Sequence, residues 1–155
     1  MALALAARIV LAATLVFAAT AKLRDREQVR AHMVELLGAR AAGLAAVAVP
    51  VVELVLAFML VAWWTSAVPG IAAAVVLGAF TVLVVRAQVR RVPCPCFGGG
   101  ASARPAGPAA VVRNGVLIAE AVLATGDPRG ASLLASVVLI AGLGALTVLV
   151  VRAAA

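Results

Sequence analysis

Tyrosine is absent from this 155-residue sequence, histidine occurs once, cysteine twice, and charged residues make up only 12% of the chain. Each scarcity excludes something. A soluble domain is about half apolar and about a quarter charged. Here 66% of residues are hydrophobic, more apolar surface than a water-soluble chain this short can hide, so the composition requires lipid as solvent. Length and composition fit one membrane domain over residues 1–155. The net charge of +7, from thirteen basic and six acidic residues, would suggest nucleic acid in a soluble protein. Without tyrosine, and with no run that interleaves basic and aromatic residues, nucleic-acid binding is not expected. The charges instead suit the flanks of membrane spans and anionic headgroups. With His32 the lone histidine, the four donors of a tetrahedral zinc site are missing, and no metal centre is expected. Two cysteines in one cluster do not make a secreted disulfide framework. The bias toward Ala, Val, Arg and Gly suggests a bacterial source, and so a multi-pass protein of the bacterial cell (inner) membrane.

What is present is a series of five apolar stretches: Leu3–Ala21, Ala41–Trp64, Ala67–Val85, Pro108–Thr125 and Ala131–Val151. Each is close to the ~20 residues with which a helix crosses the hydrocarbon. Backbone groups in lipid must be bonded within the chain, which favours helices over strands. The fourth stretch is short and doubly charged, by Arg113 and Glu120. The expected fold is an all-α integral membrane protein, a bundle of four to five transmembrane helices with a short interfacial helix. The first stretch has a rival reading, because Ala19-Thr20-Ala21 resembles a signal-peptide cleavage site. Arg8 is the sole positive charge before it, which argues for an uncleaved helix.

Between the first two spans, "KLRDREQVRAHMVELLGAR" places Val29, Met33, Leu36 and Leu37 on one side, with Arg26, Glu27 and Arg30 on much of the rest. This is the pattern of an amphipathic helix at the bilayer surface, and Gly38 is its candidate stop. Trp63 and Trp64 suit a headgroup-level belt. The connection Arg86–Gly107 is read as a loop, and "GDPRG" as a turn joining the last two spans. The two connections on one side hold Lys22, Arg24, Arg26, Arg30, Arg40, Arg86, Arg90, Arg91 and Arg104; the other side has Arg129 with Arg8 nearby. The positive-inside rule then puts the N-terminus outside and the Arg86–Gly107 connection in the cytoplasm.

That connection contains "RRVPCPCFGGG", with both cysteines, Cys94 and Cys96, one residue apart. A disulfide wants Cα atoms ~5.5 Å apart, closer than an extended tripeptide allows. The ring closes only with a bend, and strained, exposed disulfides are the labile, catalytic ones. Pro95 keeps Cys94 out of the α region, and Pro93 fixes its own φ. Arg90 and Arg91, if near, favour the nucleophilic thiolate. Packing as small apolar residues is the bland alternative. The only two thiols of the chain standing side by side outside every apolar stretch favour a redox role.

"PCPCFG", with Phe97 and Gly98, resembles the Cys-x-Cys-Phe-Gly signature of the MauE family, the methylamine-utilisation membrane proteins related to DoxX. Other pieces fall in the order expected of that family: "AKL" at Lys22, "PVVEL" with Pro50 and Glu53, and "VVRNGVL" with Arg113 and Asn114. The resemblance implies thiol–disulfide work in maturing a disulfide-rich dehydrogenase subunit, beside a thioredoxin-like partner or client thiol protein outside the membrane. An extracytoplasmic partner wants Cys94 and Cys96 on the side opposite to the one the charge count gives.

Glu53 stands near the middle of its span, where an acid costs at least ~2.5 kcal/mol and is expected to pair or act. Arg8, Lys22 and Arg113 are its candidate partners. A structural ion pair is one reading; a proton carrier, or a contact to a quinone headgroup, is the other. Glu120 and Arg113 are seven apart on one helix face, where they could join helices. The function expected is membrane thiol–disulfide exchange at Cys94 and Cys96, supported by Pro93, Pro95, Phe97, Gly98, Arg113 and Asn114, with a quinone as candidate electron carrier. A non-catalytic assembly factor or a small-molecule transporter is the alternative.

Overall fold

The computed structural model describes residues 2–63, 66–91 and 108–126. They form five α-helices and, among the described residues, no strand: α1 (Ala2–Arg24), α2 (Arg26–Leu37), α3 (Ala39–Ala62), α4 (Val68–Arg90) and α5 (Pro108–Leu123). Three of these, α1, α3 and α4, are long and apolar enough to cross a membrane. The protein is an all-helical, multi-pass membrane protein. The expected fifth span, Ala131–Val151, lies outside the described residues.

Local sequence sets the helix ends. Proline occupies the first position of α5 and the second of α4, where its missing N–H costs nothing. The chain reverses after α2 at Gly38, whose φ of 85° is one that side chains disfavour; its N–H donates to the Val34 carbonyl. α4 stops at Arg91, in the left-handed conformation, with its N–H shared between the carbonyls of Ala87 and Gln88. The helix therefore runs five residues further than the apolar stretch ending at Val85, and Arg86–Arg90 belong to α4 rather than to the loop. Arginine and glutamine are good helix formers, and Ala87 is buried against Leu36 of α2.

α1 and α3 run antiparallel, with Arg8 near the end of α3 and Lys22 opposite Glu53. α5 packs on α1 and α4. The central core joins Ala7, Leu11 and Leu15 of α1 to Leu56, Ala57 and Leu60 of α3, Ala73 and Leu77 of α4, and Leu117 and Ala121 of α5. α4 meets the last turn of α5 at Gly70. A Cβ there would stand 2.9 Å from the Ala121 carbonyl oxygen and the Thr125 nitrogen, so only glycine permits the approach. Outward-facing Phe17, Leu44, Phe58, Val75 and Val82 are largely exposed, as lipid-facing residues must be.

The amphipathic segment forms α2, and its apolar side is covered by protein. Val29 and Met33 pack against Ala42 and Ala45 of α3, and Leu36 against Ala87 of α4. α5 is shorter than the stretch Pro108–Thr125. Its 16 residues extend about 24 Å, less than the ~30 Å of hydrocarbon.

Candidate functional site

Five charged side chains are buried among the described residues: Arg8 and Lys22 on α1, Glu53 on α3, and Arg113 and Glu120 on α5, none more than 5% exposed. Each sits on the inward stripe of its helix. On α3 that stripe reads Ala46, Pro50, Glu53, Leu56, Ala57, Leu60; on α5 it reads Ala110, Arg113, Asn114, Leu117, Glu120, Ala121. The same helical periodicity that buries leucine and alanine buries the charges.

Lys22 and Glu53 form the centre of this group. The lysine Nζ donates to Glu53 Oε1 at 2.6 Å, with both side chains almost completely buried. Glu53 Oε2 has no hydrogen-bond partner among the described residues. Arg113 is near enough for its charge to act on Lys22. Beside it on α5, Asn114 Nδ2 donates to Thr81 Oγ1 of α4 at 3.2 Å, and the Thr81 hydroxyl donates to the Leu77 carbonyl at 2.8 Å. Polar side-chain contacts thus tie α1 to α3 and α4 to α5.

Of the three bases open to Glu53 from sequence, Lys22 is the one in contact. Arg8 is engaged elsewhere, because it stands fourteen residues from Lys22 on the same helix, about 21 Å away along the axis. Its guanidinium donates to the carbonyls of Trp63 (3.1 Å), Ser66 (2.6 Å) and Gly126 (3.5 Å). Arg8 also lines, with Leu5, Ile9, Leu60 and Val61, a crevice of about 250 Å³ between α1 and α3.

Exposed charge has a different address. Arg24, Arg26, Arg30, Arg40, Arg86, Arg90 and Arg91 are exposed, as are Asp25, Glu27 and Glu35. They lie where α1 turns into α2, along α2, at the start of α3 and where α4 ends. Arg90 Nη1 donates to the Glu35 carbonyl at 3.2 Å, which ties the last turn of α4 to α2. The chain leaves this end of the bundle toward Pro93, Cys94, Pro95, Cys96, Phe97 and Gly98, which lie outside the described residues.

One contributor escapes sequence reasoning. Thr81 reads as one more small residue of an apolar span; its signal is a hydroxyl on the side that α5 covers. Glu120, read from sequence as sharing a helix face with Arg113, is buried with it on the inward face of α5. Among the described residues, no three His, Cys, Asp or Glu side chains gather closely enough to hold a metal ion.

No curated protein and no solved structure matches the chain. The family model described as methylamine utilisation protein MauE matches residues 1–127, a stretch that takes in all five helices, the buried charges and the Cys-Pro-Cys connection, and the chain belongs to the MauE family.

Proposed function

We propose that this chain is a thiol–disulfide redox protein of the bacterial inner membrane, in which Cys94 and Cys96 exchange with a client thiol protein or a thioredoxin-like partner. The setting suggested by the family's description is methylamine utilisation, with maturation of a disulfide-containing client as the task. The observation that carries the reading is the Cys-Pro-Cys motif three residues beyond Arg91. Support comes from how that point is held: Arg90 is bonded to α2, and the left-handed Arg91 turns the chain out of α4. A short arm leaving a fixed point loses less freedom when its sulfurs react.

The exchange balances as follows. A client thiolate attacks one sulfur of an oxidised Cys94–Cys96 pair, breaking that bond and forming a mixed disulfide. A second client thiolate attacks the client's own sulfur in the mixed disulfide and releases the other thiolate of the pair. The client leaves oxidised; two electrons and, after protonation, two protons reside on Cys94 and Cys96. Regeneration returns both to a two-electron acceptor, and a quinone has that stoichiometry. The crevice beside Arg8 does not suit a quinone in this role, because it lies at the end of the bundle away from Arg91 and thiol oxidation requires contact. No step is assigned through it.

The test uses the full chain in liposomes with a dithiol reporter peptide. Cys94→Ser, Cys96→Ser and the double variant are each expected to fall to the uncatalysed rate, and one single variant should trap a mixed disulfide. Wild-type exchange in the double variant would overturn the redox reading. Client maturation that survives in cells carrying it would indicate a docking role instead.

A further inference from the structure

We infer that the last turns of α4 hold the phosphate of an anionic phospholipid between Arg86 and Arg90. A helix turns about 100° per residue, so these two arginines, four apart, share one side of α4. Ala87 is buried against Leu36 of α2. Val85 and Val89, each turned about 200° from Ala87, are 43% and 79% exposed. The arginines therefore border the seam between α2 and α4, next to an outward apolar stripe. Their level in the bilayer follows from length. Val68 opens α4 five residues after Trp63, the residue expected at the opposite headgroups. Arg86 and Arg90 stand eighteen and twenty-two residues beyond Val68, about 27 Å and about 33 Å along the axis. The hydrocarbon is ~30 Å thick, so the pair straddles its edge, where a long basic side chain reaches the lipid phosphates.

Three features separate this pair from a general excess of positive charge. The first is its lack of acids. α4 contains none, and among the described residues no ion pair joins the exposed arginines to Asp25, Glu27 or Glu35. Arg90 donates to the backbone carbonyl of Glu35, which leaves its charge in place. On α1 and α2, by contrast, Arg24, Arg26 and Arg30 are interleaved with Asp25 and Glu27. The second is repulsion. Like charges one turn apart destabilise a helix, and a phosphate between them turns that repulsion into attraction; guanidinium forks bind phosphate oxygens through two parallel bonds. The third is the company of Val85 and Val89. An acidic soluble partner has no use for valines this exposed beside arginines, whereas a phospholipid brings phosphate and acyl chain together. A zwitterionic lipid carries its own cation next to the phosphate; phosphatidylglycerol does not. Arg90 and Arg86 stand one and five residues before Arg91, so a lipid held there sets the depth at which the chain leaves toward Cys94 and Cys96.

The site does not depend on the cysteine chemistry. The test is native mass spectrometry of the full chain, released from micelles that hold phosphatidylglycerol and phosphatidylcholine in equal amounts with the same acyl chains. One arginine beside an anionic lipid is worth a factor of about five, and wild type should retain a single phosphatidylglycerol over a phosphatidylcholine by at least that factor. Arg86→Gln/Arg90→Gln should bring the two lipids to parity with helical content unchanged, since both side chains are exposed. Arg26→Gln/Arg30→Gln removes the same charge elsewhere and should keep the preference, as should Cys94→Ser/Cys96→Ser. Parity in wild type, or an undiminished preference in Arg86→Gln/Arg90→Gln, overturns the site. So does an equal loss in Arg26→Gln/Arg30→Gln, which would make the effect one of net charge. Polyglutamate that binds wild type in place of phosphatidylglycerol, but not Arg86→Gln/Arg90→Gln, would assign the surface to an acidic protein and likewise overturn the lipid.

Discussion

Replacing Glu53 by glutamine removes one charge of the Lys22–Glu53 pair and leaves its shape. The two side chains are 2% and 3% exposed, and their contact is 2.6 Å. Breaking a buried pair by removing one partner costs about 3–5 kcal/mol, because the other charge stays desolvated. The positions of the two residues make the pair of single variants unequal. Lys22 is two residues from the end of α1, and its four-carbon stem can carry the ammonium toward headgroups once Glu53 is neutral. Glu53 is fourteen residues from the start of α3 and nine from its end, with no comparable exit. Glu53→Gln is therefore expected to cost about 3 kcal/mol and Lys22→Met about 4. The double variant should cost no more than the worse single, giving a coupling of about 3 kcal/mol. The assay is reversible unfolding in mixed micelles, followed by far-ultraviolet circular dichroism at fixed lipid ratio. Either single variant within about 1 kcal/mol of wild type, or a double variant at the sum of the singles, refutes the pairing as a source of stability.

Gly70→Ala places a methyl 2.9–3.0 Å from backbone atoms of Ala121, Ala124 and Thr125, none of which can swing aside; the same unfolding assay should show a loss of about 2 kcal/mol. Gly78→Ala is its control: nothing stands within 4 Å of the new methyl, and alanine's helix propensity should make it neutral or mildly stabilising. Cys94 and Cys96 should be protected from a membrane-impermeant maleimide in intact cells and labelled after permeabilisation, since the exposed arginines among the described residues gather at the end from which their connection leaves; rapid labelling of intact cells would reverse this orientation.

Much of this fold is legible because lipid reduces the question to where apolar stretches begin and end. The starts of α1, α3 and α4 follow from that pattern to within two residues, and Gly38 marks the reversal after α2; α1 runs on past the apolar stretch to Arg24. The end of α4 does not follow, because Arg86–Arg90 read as polar, whereas tertiary contact with α2 keeps them helical. At the site, sequence shows which residues are costly in a membrane but not which meet. Glu53, Lys22, Arg8 and Arg113 all stand out as charges in apolar runs. That Lys22 takes Glu53 while Arg8 goes elsewhere depends on the relative register of α1 and α3, which periodicity within one helix cannot supply. Thr81 is still harder, since it looks unremarkable until α4 and α5 are placed together; Asn114 stands out through the "VVRNGVL" resemblance, but its contact with Thr81 does not.

Arg8 shows why a cation belongs in the first span at all. A helix end leaves its last carbonyls without partners, and in hydrocarbon no water is present to take them. At this end α3 gives way to α4 around Trp63 and Ser66, and α5 closes at Leu123, three residues before Gly126, after only 16 residues, about 24 Å of helix. A helix that short brings its terminus below the headgroups unless the bilayer thins around it. Arg8 donates to carbonyls of Trp63, Ser66 and Gly126, so one buried guanidinium does for three chain segments what water does at an exposed terminus. Its planar fork suits several acceptors at once; the point charge of a lysine does not. The cation's own burial is offset by those same bonds, which are stronger than their neutral counterparts. The short α5 and the buried Arg8 therefore explain each other: the helix can end early because the arginine is there, and the arginine is tolerated because helix ends surround it.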